Sequence, residues 1–205
     1  ALGTTADVSA QQTMVWSSMG SSKNPILKCN AMKFANEFVK RSGGKYKLET
    51  HIGAAAFANP RKQYQQVTKN IVNFSSGVLF YTPGRFPLTE LVSLPFLAKD
   101  NIALARALHS LAPKYLKKEF HDVHLMALPI PTLYQIHMRE PISKIADLKG
   151  KRVRASGRGL IAALKLLGVN PVLMPATKQY ETLQKGVIAG TIGTNATLVA
   201  FKVFE

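Results

Sequence analysis

The chain has 205 residues, 46% of them hydrophobic, with 14 glycines and 11 prolines, a composition that excludes disordered and fibrous classes. Twenty-seven Lys and Arg against 11 Asp and Glu give a net charge of +16, which raises the question of a polyanionic partner. The apolar runs fall far short of the ~20 residues a membrane-spanning helix needs, and the single cysteine, Cys29, excludes a disulfide within this sequence.

Residues 1–6 are small and polar, with no charged segment leading into an apolar one, as at a mature end left after cleavage of a leader. Residues 13–17 predict a first strand. Leu27, Ala31, Phe34, Ala35 and Phe38 fall at helical spacing, Lys40 and Arg41 suit a last turn, and Gly43 and Gly44 stop it, so a helix is expected over 26–42. A strand over 46–52 follows. Pro60 then opens a helix through Tyr64 and Val67 to Asn70, and 71–74 is a short buried strand. Strand, helix, strand, helix, strand is the signature of a parallel α/β sheet.

Residues 81–87 form a loop, and Leu94 to Leu97 an apolar anchor after it. Asp100 caps a helix running to Leu111, and 115–120 is helical. Strands over 123–127 and 133–138 flank a bend at Pro129 and Pro131, where the chain passes from a first lobe (1–128) to a second (129–205). The second lobe repeats the alternation, with strands over 151–154, 171–174 and 187–192 and helices over 160–167 and 178–185. Two α/β lobes joined by crossing strands make a hinge, and a hinge between lobes is a place to trap a ligand.

Arg154 closes the strand Lys151-Arg152-Val153-Arg154, immediately before a glycine turn and an apolar helix. A guanidinium at that place can meet a carboxylate or phosphate with two charge-assisted hydrogen bonds, and the helix N-terminus adds positive potential. Trp16, Tyr81 and Tyr134 stand at the ends or edges of predicted strands, where they would give a cleft an apolar or planar wall. Ser17 and Ser18 end the first strand with hydroxyl donors.

Other chemistries are weaker. The basic residues are scattered, and only Lys114 with Lys117 and Lys118 forms a local cluster, so a basic nucleic-acid-binding α/β protein stands as the alternative to an anion binder. Gly157-Arg158-Gly159-Leu160-Ile161-Ala162 matches a dinucleotide fingerprint, but Met174-Pro175 ends the next strand where an acidic residue belongs. Its glycines read instead as a turn bringing backbone close to the ligand. His121 and His124 beside Asp122 lack a third metal ligand. No nucleophile–base–acid set is supported by spacing, so neither an enzyme nor a cofactor is expected.

The order of motifs resembles the solute-binding proteins of TRAP transporters, in the dicarboxylate-binding family. It is carried by Asp147-Leu148-Lys149-Gly150, Arg152-Val153-Arg154, Leu167-Gly168, Pro171-Val172, Met174-Pro175, Tyr180, Leu183-Gln184, Gly186-Val187-Ile188 and Gly190. In the first lobe Ser42-Gly43-Gly44-Lys45, Phe86-Pro87 and Leu94-Pro95-Phe96 fit too. The resemblance implies a two-lobe periplasmic binding protein-like fold with mixed, mostly parallel sheets, monomeric and periplasmic. It would close on a small organic acid and deliver it to membrane permease subunits. It puts the signature carboxylate-binding arginine on Arg154. Ala189 replaces the family's aspartate and Gly193 its frequent asparagine, which leaves Thr194 and Asn195 to assist; Val78 stands where relatives carry a polar group. The family pattern continues past residue 205 into a long helix and returning strands, so the resemblance implies a chain lacking its C-terminal third.

Overall fold

The structure, a computed structural model, describes residues 11–20, 24, 27–53, 56–130 and 134–204. The opening residues 1–6, Ile26, Pro131 and the predicted strand's start at 133 lie outside them.

The first sheet joins β1 (Gln12–Ser18), β2 (Tyr46–Ile52) and β3 (Phe74–Ser76), all parallel, in the order β2-β1-β3. Between β1 and β2 run a π-helical stretch, Leu27–Met32, and α1 (Lys33–Arg41). The chain leaves α1 through Gly43 and Gly44 at φ 60° and 86°, the left-handed conformation that glycine adopts without strain. Between β2 and β3 runs α2 (Gln63–Thr68). Side chains alternate across the sheet. Trp16 points to the α1 side, where it packs with Leu27 and Ala35, and Ser17 points to α2, reaching Gln66.

The expected strand over 71–74 begins only at Phe74. The N–H groups of Ile71 and Val72 both bond the Gln66 carbonyl, and Asn70 takes φ 53°, so these residues are spent closing the end of α2.

The middle of the chain carries 3₁₀ turns at Leu79–Tyr81 and Thr89–Ser93, then α3 (Asn101–Leu111) and a π-helical turn, Ala112–Leu116. Asp100 caps α3 as the sequence predicts, accepting from the N–H groups of Ile102 (2.8 Å) and Ala103 (3.3 Å). The helix expected over 115–120 is instead the end of that π-helical turn followed by turns. No strand forms over 123–127: the segment joins no ladder, and Val123 and Leu125 instead pack on the cluster of Phe86, Leu108, Leu116 and Phe120. Phe86 and Phe120 stack there at 5.0 Å.

The second sheet has the order β4-β7-β5-β6, with β4 (Gln135–Met138) antiparallel to β7 (Gly190–Gly193), and β5 (Arg152–Ala155) parallel to both β7 and β6 (Asn170–Leu173). α4 (Arg158–Leu166) joins β5 to β6, α5 (Gln179–Gln184) joins β6 to β7, and α6 (Asn195–Ala200) follows. Leu148, Val153, Ala155, Leu160, Leu164, Val169 and Ile192 form its core. The strand expected over 187–192 starts at Gly190, because the N–H groups of Val187 and Ile188 close α5 on the Thr182 carbonyl.

The fold is therefore α/β with two lobes and mixed, mostly parallel sheets. The order β6-β5-β7 repeats β2-β1-β3, so strand order reverses beside β1 in one lobe and beside β5 in the other. Crevices for ligands lie at the carboxyl ends of strands at such reversals.

Candidate functional site

Arg154 lies at such a place. It is the third residue of β5, in register with Thr191 on β7, and only 2% exposed. Its guanidinium is fixed by three partners. Nε donates to the Met174 carbonyl at 2.9 Å, Nη1 to the Ile192 carbonyl at 3.1 Å, and Nη2 to the Tyr81 hydroxyl at 2.9 Å. The ends of β6 and β7 supply the two carbonyls, so the sheet itself orients the fork. Among the described residues no carboxylate pairs with Arg154. A buried cation held by dipoles alone keeps an unbalanced charge, which is costly unless an anion joins it. Three of a guanidinium's five N–H groups are used, which leaves two for that anion.

Tyrosines surround the fork. Tyr81, 5% exposed, comes from the 3₁₀ turn of the first half; its hydroxyl also accepts from the Ala176 N–H at 2.8 Å. Burial pushes the Tyr134 hydroxyl above the usual phenol range, and neighbouring Tyr81 adds to this. A hydrogen bond with Ser156 and the Arg154 charge pull the other way. Tyr81, Tyr134, Ser156 and Arg154 therefore form one cluster.

Two further buried side chains, Thr191 and Gln179, are marked by no motif or spacing in the sequence. Thr191, beside Arg154, donates to the Oε1 of Gln179 at 3.2 Å. Gln179 is fully buried, and its Nε2 finds no partner among the described residues. A glutamine that opens an amphipathic helix carries no sequence signal of burial. Only the packing of α5 on the sheet encloses it.

The other sequence candidates fall elsewhere. Ser17 is buried and contacts Gln66 Oε1 (3.5 Å) and Ser75 Oγ (3.4 Å) at the carboxyl ends of β1 and β3. Trp16, 4% exposed, packs with Leu27 and Ala35 under α1, on the face of β1 opposite to that of Ser17. Thr194 is buried as the cap of α6, accepting from the Thr197 N–H at 3.1 Å, and Asn195 opens α6 with an exposed side chain. No hydrogen bond links Ser17, Thr194 or Asn195 to Arg154 among the described residues.

The first half docks onto the start of α4. Gly157, at φ 129°, faces the Phe80 ring, and a Cβ at Gly159 would lie 3.1 Å from Leu94 and 3.2 Å from Ser93. Arg158 pairs with Glu90 at 3.7 Å. The glycines of the dinucleotide-like motif thus make room for this segment of the chain. A cavity of about 600 Å³ opens beside Met174 and Pro175, faced by Ala58 and Pro60 from the first half. His121 Nδ1 lies 2.9 Å from the Lys118 carbonyl, and Asp122 is taken up by Arg85 at 2.7 Å and by Tyr64.

The model of the family described as bacterial extracellular solute-binding protein, family 7, matches residues 17–205. A solute-binding protein of Verminephrobacter eiseniae is 28% identical over 176 residues, covering 82% of this chain and 51% of the relative. The chain thus spans about half the length of that curated relative. Among solved structures, a marine metagenome TRAP solute-binding protein specific for aromatic acids, in complex with 3-hydroxybenzoate, superposes with a TM-score of 0.88 at 26% identity. It is matched over 94% of this chain and 61% of its own. A TRAP solute-binding protein of Rhodoferax ferrireducens with copurified benzoate gives 0.87 at 27% identity, over 94% and 60% of the two chains.

Proposed function

This chain belongs to the bacterial extracellular solute-binding protein family 7, and from that premise we propose that it captures a small carboxylate-bearing metabolite in the periplasm and hands it to a TRAP-type permease. The observation that carries the reading is the buried Arg154 guanidinium, oriented by the ends of two strands and balanced by no acidic side chain among the described residues. The ligand lies between lobes 1–128 and 129–205. Arg154 takes its carboxylate, with help from Thr194 or Asn195 in the second lobe. Ser17 offers a hydroxyl from the first, and Tyr81 and Tyr134 form the wall.

An aromatic monocarboxylate fits best. Two relatives of known structure bind 3-hydroxybenzoate and benzoate, and Arg154 is the one buried cation among the described residues, suited to one negative charge rather than two. The role is binding by a monomer, without catalysis. The excess of Lys and Arg forms a diffuse positive field that draws anions toward the crevice. The nucleic-acid alternative receives no support from the relatives.

A thermal-shift screen of benzoate, 3-hydroxybenzoate, dicarboxylates, nucleotides and an oligonucleotide tests this. A ligand at about 100 times its Kd stabilises the native state by about 2.7 kcal/mol, so an aromatic acid should raise the melting temperature. A shift with oligonucleotide alone, collapsing as salt rises, would reverse the assignment.

A further inference from the structure

The Tyr81 hydroxyl oxygen accepts two hydrogen bonds from the second half of the chain, from Arg154 Nη2 at 2.9 Å and from the Ala176 N–H at 2.8 Å. A phenol oxygen has two lone pairs and one proton. Both donors claim lone pairs, so the proton must point away from both. Among the described residues no hydrogen bond is donated by that hydroxyl. The phenol is therefore a donor without an acceptor, 5% exposed and in contact with the one buried cation of the described residues.

We infer that Tyr81 is a specificity-determining residue whose hydroxyl donates its proton to the ligand carboxylate, with one carboxylate oxygen on the Arg154 fork and the other on Tyr81. This rests on the reading of Arg154 as the carboxylate clamp. The consequence is a cradle that offers only donors, which suits an ionised acid and leaves an amide or alcohol with one group mismatched. Tyr81 also couples binding to the docking of the two halves. The hydroxyl is oriented by second-half atoms, while its ring is carried by the Leu79–Tyr81 turn of the first half, seated through Phe80 on Gly157. Only when that turn is docked does the proton face the ligand. The donor's orientation thus depends on the contact between the two halves.

The sign of a donor can be tested separately from its mere presence. Wild type, Tyr81→Phe, and a protein carrying 3-fluorotyrosine at position 81 are titrated calorimetrically with benzoate and 3-hydroxybenzoate near pH 6, and the tighter acid is used. Fluorine makes the phenol a stronger donor and a weaker acceptor. Tyr81→Phe should bind about tenfold more weakly or worse, and the fluorinated protein severalfold more tightly than wild type. A residue that only propped Arg154 would instead lose affinity, or show no change, when its accepting power falls, and that result overturns the inference. So does a Tyr81→Phe protein binding within twofold of wild type. Should Tyr81→Phe fail to fold, the fluorinated protein decides alone. Wild-type binding lost in Arg154→Lys, together with a null result at Tyr81, leaves the clamp standing and removes only the donor. Wild type that binds neither acid removes the donor together with the aromatic-acid reading beneath it.

Discussion

Glu119 holds Thr89 twice: one carboxylate oxygen accepts from the Thr89 N–H at 3.0 Å and from its hydroxyl at 2.6 Å, while the other accepts from the Leu88 N–H at 2.6 Å. Glu119 is 7% exposed, and it anchors the start of the 3₁₀ turn that carries the docking contacts at Glu90 and Ser93 and leads to Leu94. Glu119→Ala leaves three donors without an acceptor at a cost of about 1–3 kcal/mol each. A loss of about 3 kcal/mol or more in urea unfolding is expected, with Glu119→Gln intermediate. A midpoint equal to wild type in the Ala variant would refute the anchoring role.

Arg154→Lys replaces a planar fork with a point charge that cannot serve Met174, Ile192 and Tyr81 together. One lost charge-assisted hydrogen bond corresponds to about 1.5–3 kcal/mol, so acid affinity should fall by about tenfold to a hundredfold. Calorimetry on the folded variant measures this directly. Undiminished affinity would remove Arg154 from the site.

Gly190 has no room for a side chain. A Cβ there would lie 2.3 Å from Met138 Sδ and 2.6 Å from the His137 carbonyl oxygen. The sulfur can swing aside, but the carbonyl belongs to the β4–β7 ladder. Gly190→Ala should destabilise by about 1–3 kcal/mol, seen as a lower urea midpoint. An unchanged midpoint would mean that β4 yields freely.

Two carboxyls give opposite pH slopes. Burial pushes Glu90 above the ordinary carboxyl range, Arg158 pulls it back and Glu119 pushes it further. The folded chain therefore holds more protons than the unfolded one above the ordinary value of 4.5, and stability declines as pH rises through the raised folded value. Glu90→Gln should abolish that decline in melting temperature as pH rises above 4.5. A slope identical in wild type and variant would assign it elsewhere.

Asp122 runs the other way. Burial alone would raise it, but hydrogen bonds from Tyr64, its own backbone and Arg85, with the Arg85 charge, bring it below 3.8. Its contribution is present above that value and lost as pH falls through the lower folded one. Asp122→Asn should therefore flatten the acid limb of the melting curve below about pH 4. Acid unfolding of the variant superimposable on that of wild type would show that this carboxylate is not responsible.

The alternation of strands and helices was legible because it is local. The strand over 46–52 and the cap at Asp100 follow from side-chain period and from one carboxylate placed before a helix. Three expected strands, over 71–74, 123–127 and 187–192, form only in part or not at all. Each is apolar enough to pair, but in two the first residues close the preceding helix, and in the third the side chains find a cluster instead of a sheet edge. At the site, Arg154's position was legible from its strand end and glycine turn. Gln179 there, and Glu119 under the Thr89–Ser93 turn, were not, since their burial depends on elements packed over them.

Sequence by itself determined the α/β winding, the strand that ends at Arg154 and the family, because periodicity, caps and motif spacing are properties of neighbours along the chain. Tertiary structure alone decided which side chains face that guanidinium. Tyr81 reaches it across 73 positions, and Trp16, one residue from Ser17, is turned into the core. Hydrogen-bond partners are chosen by the packing of one half against the other, and no local pattern encodes that choice.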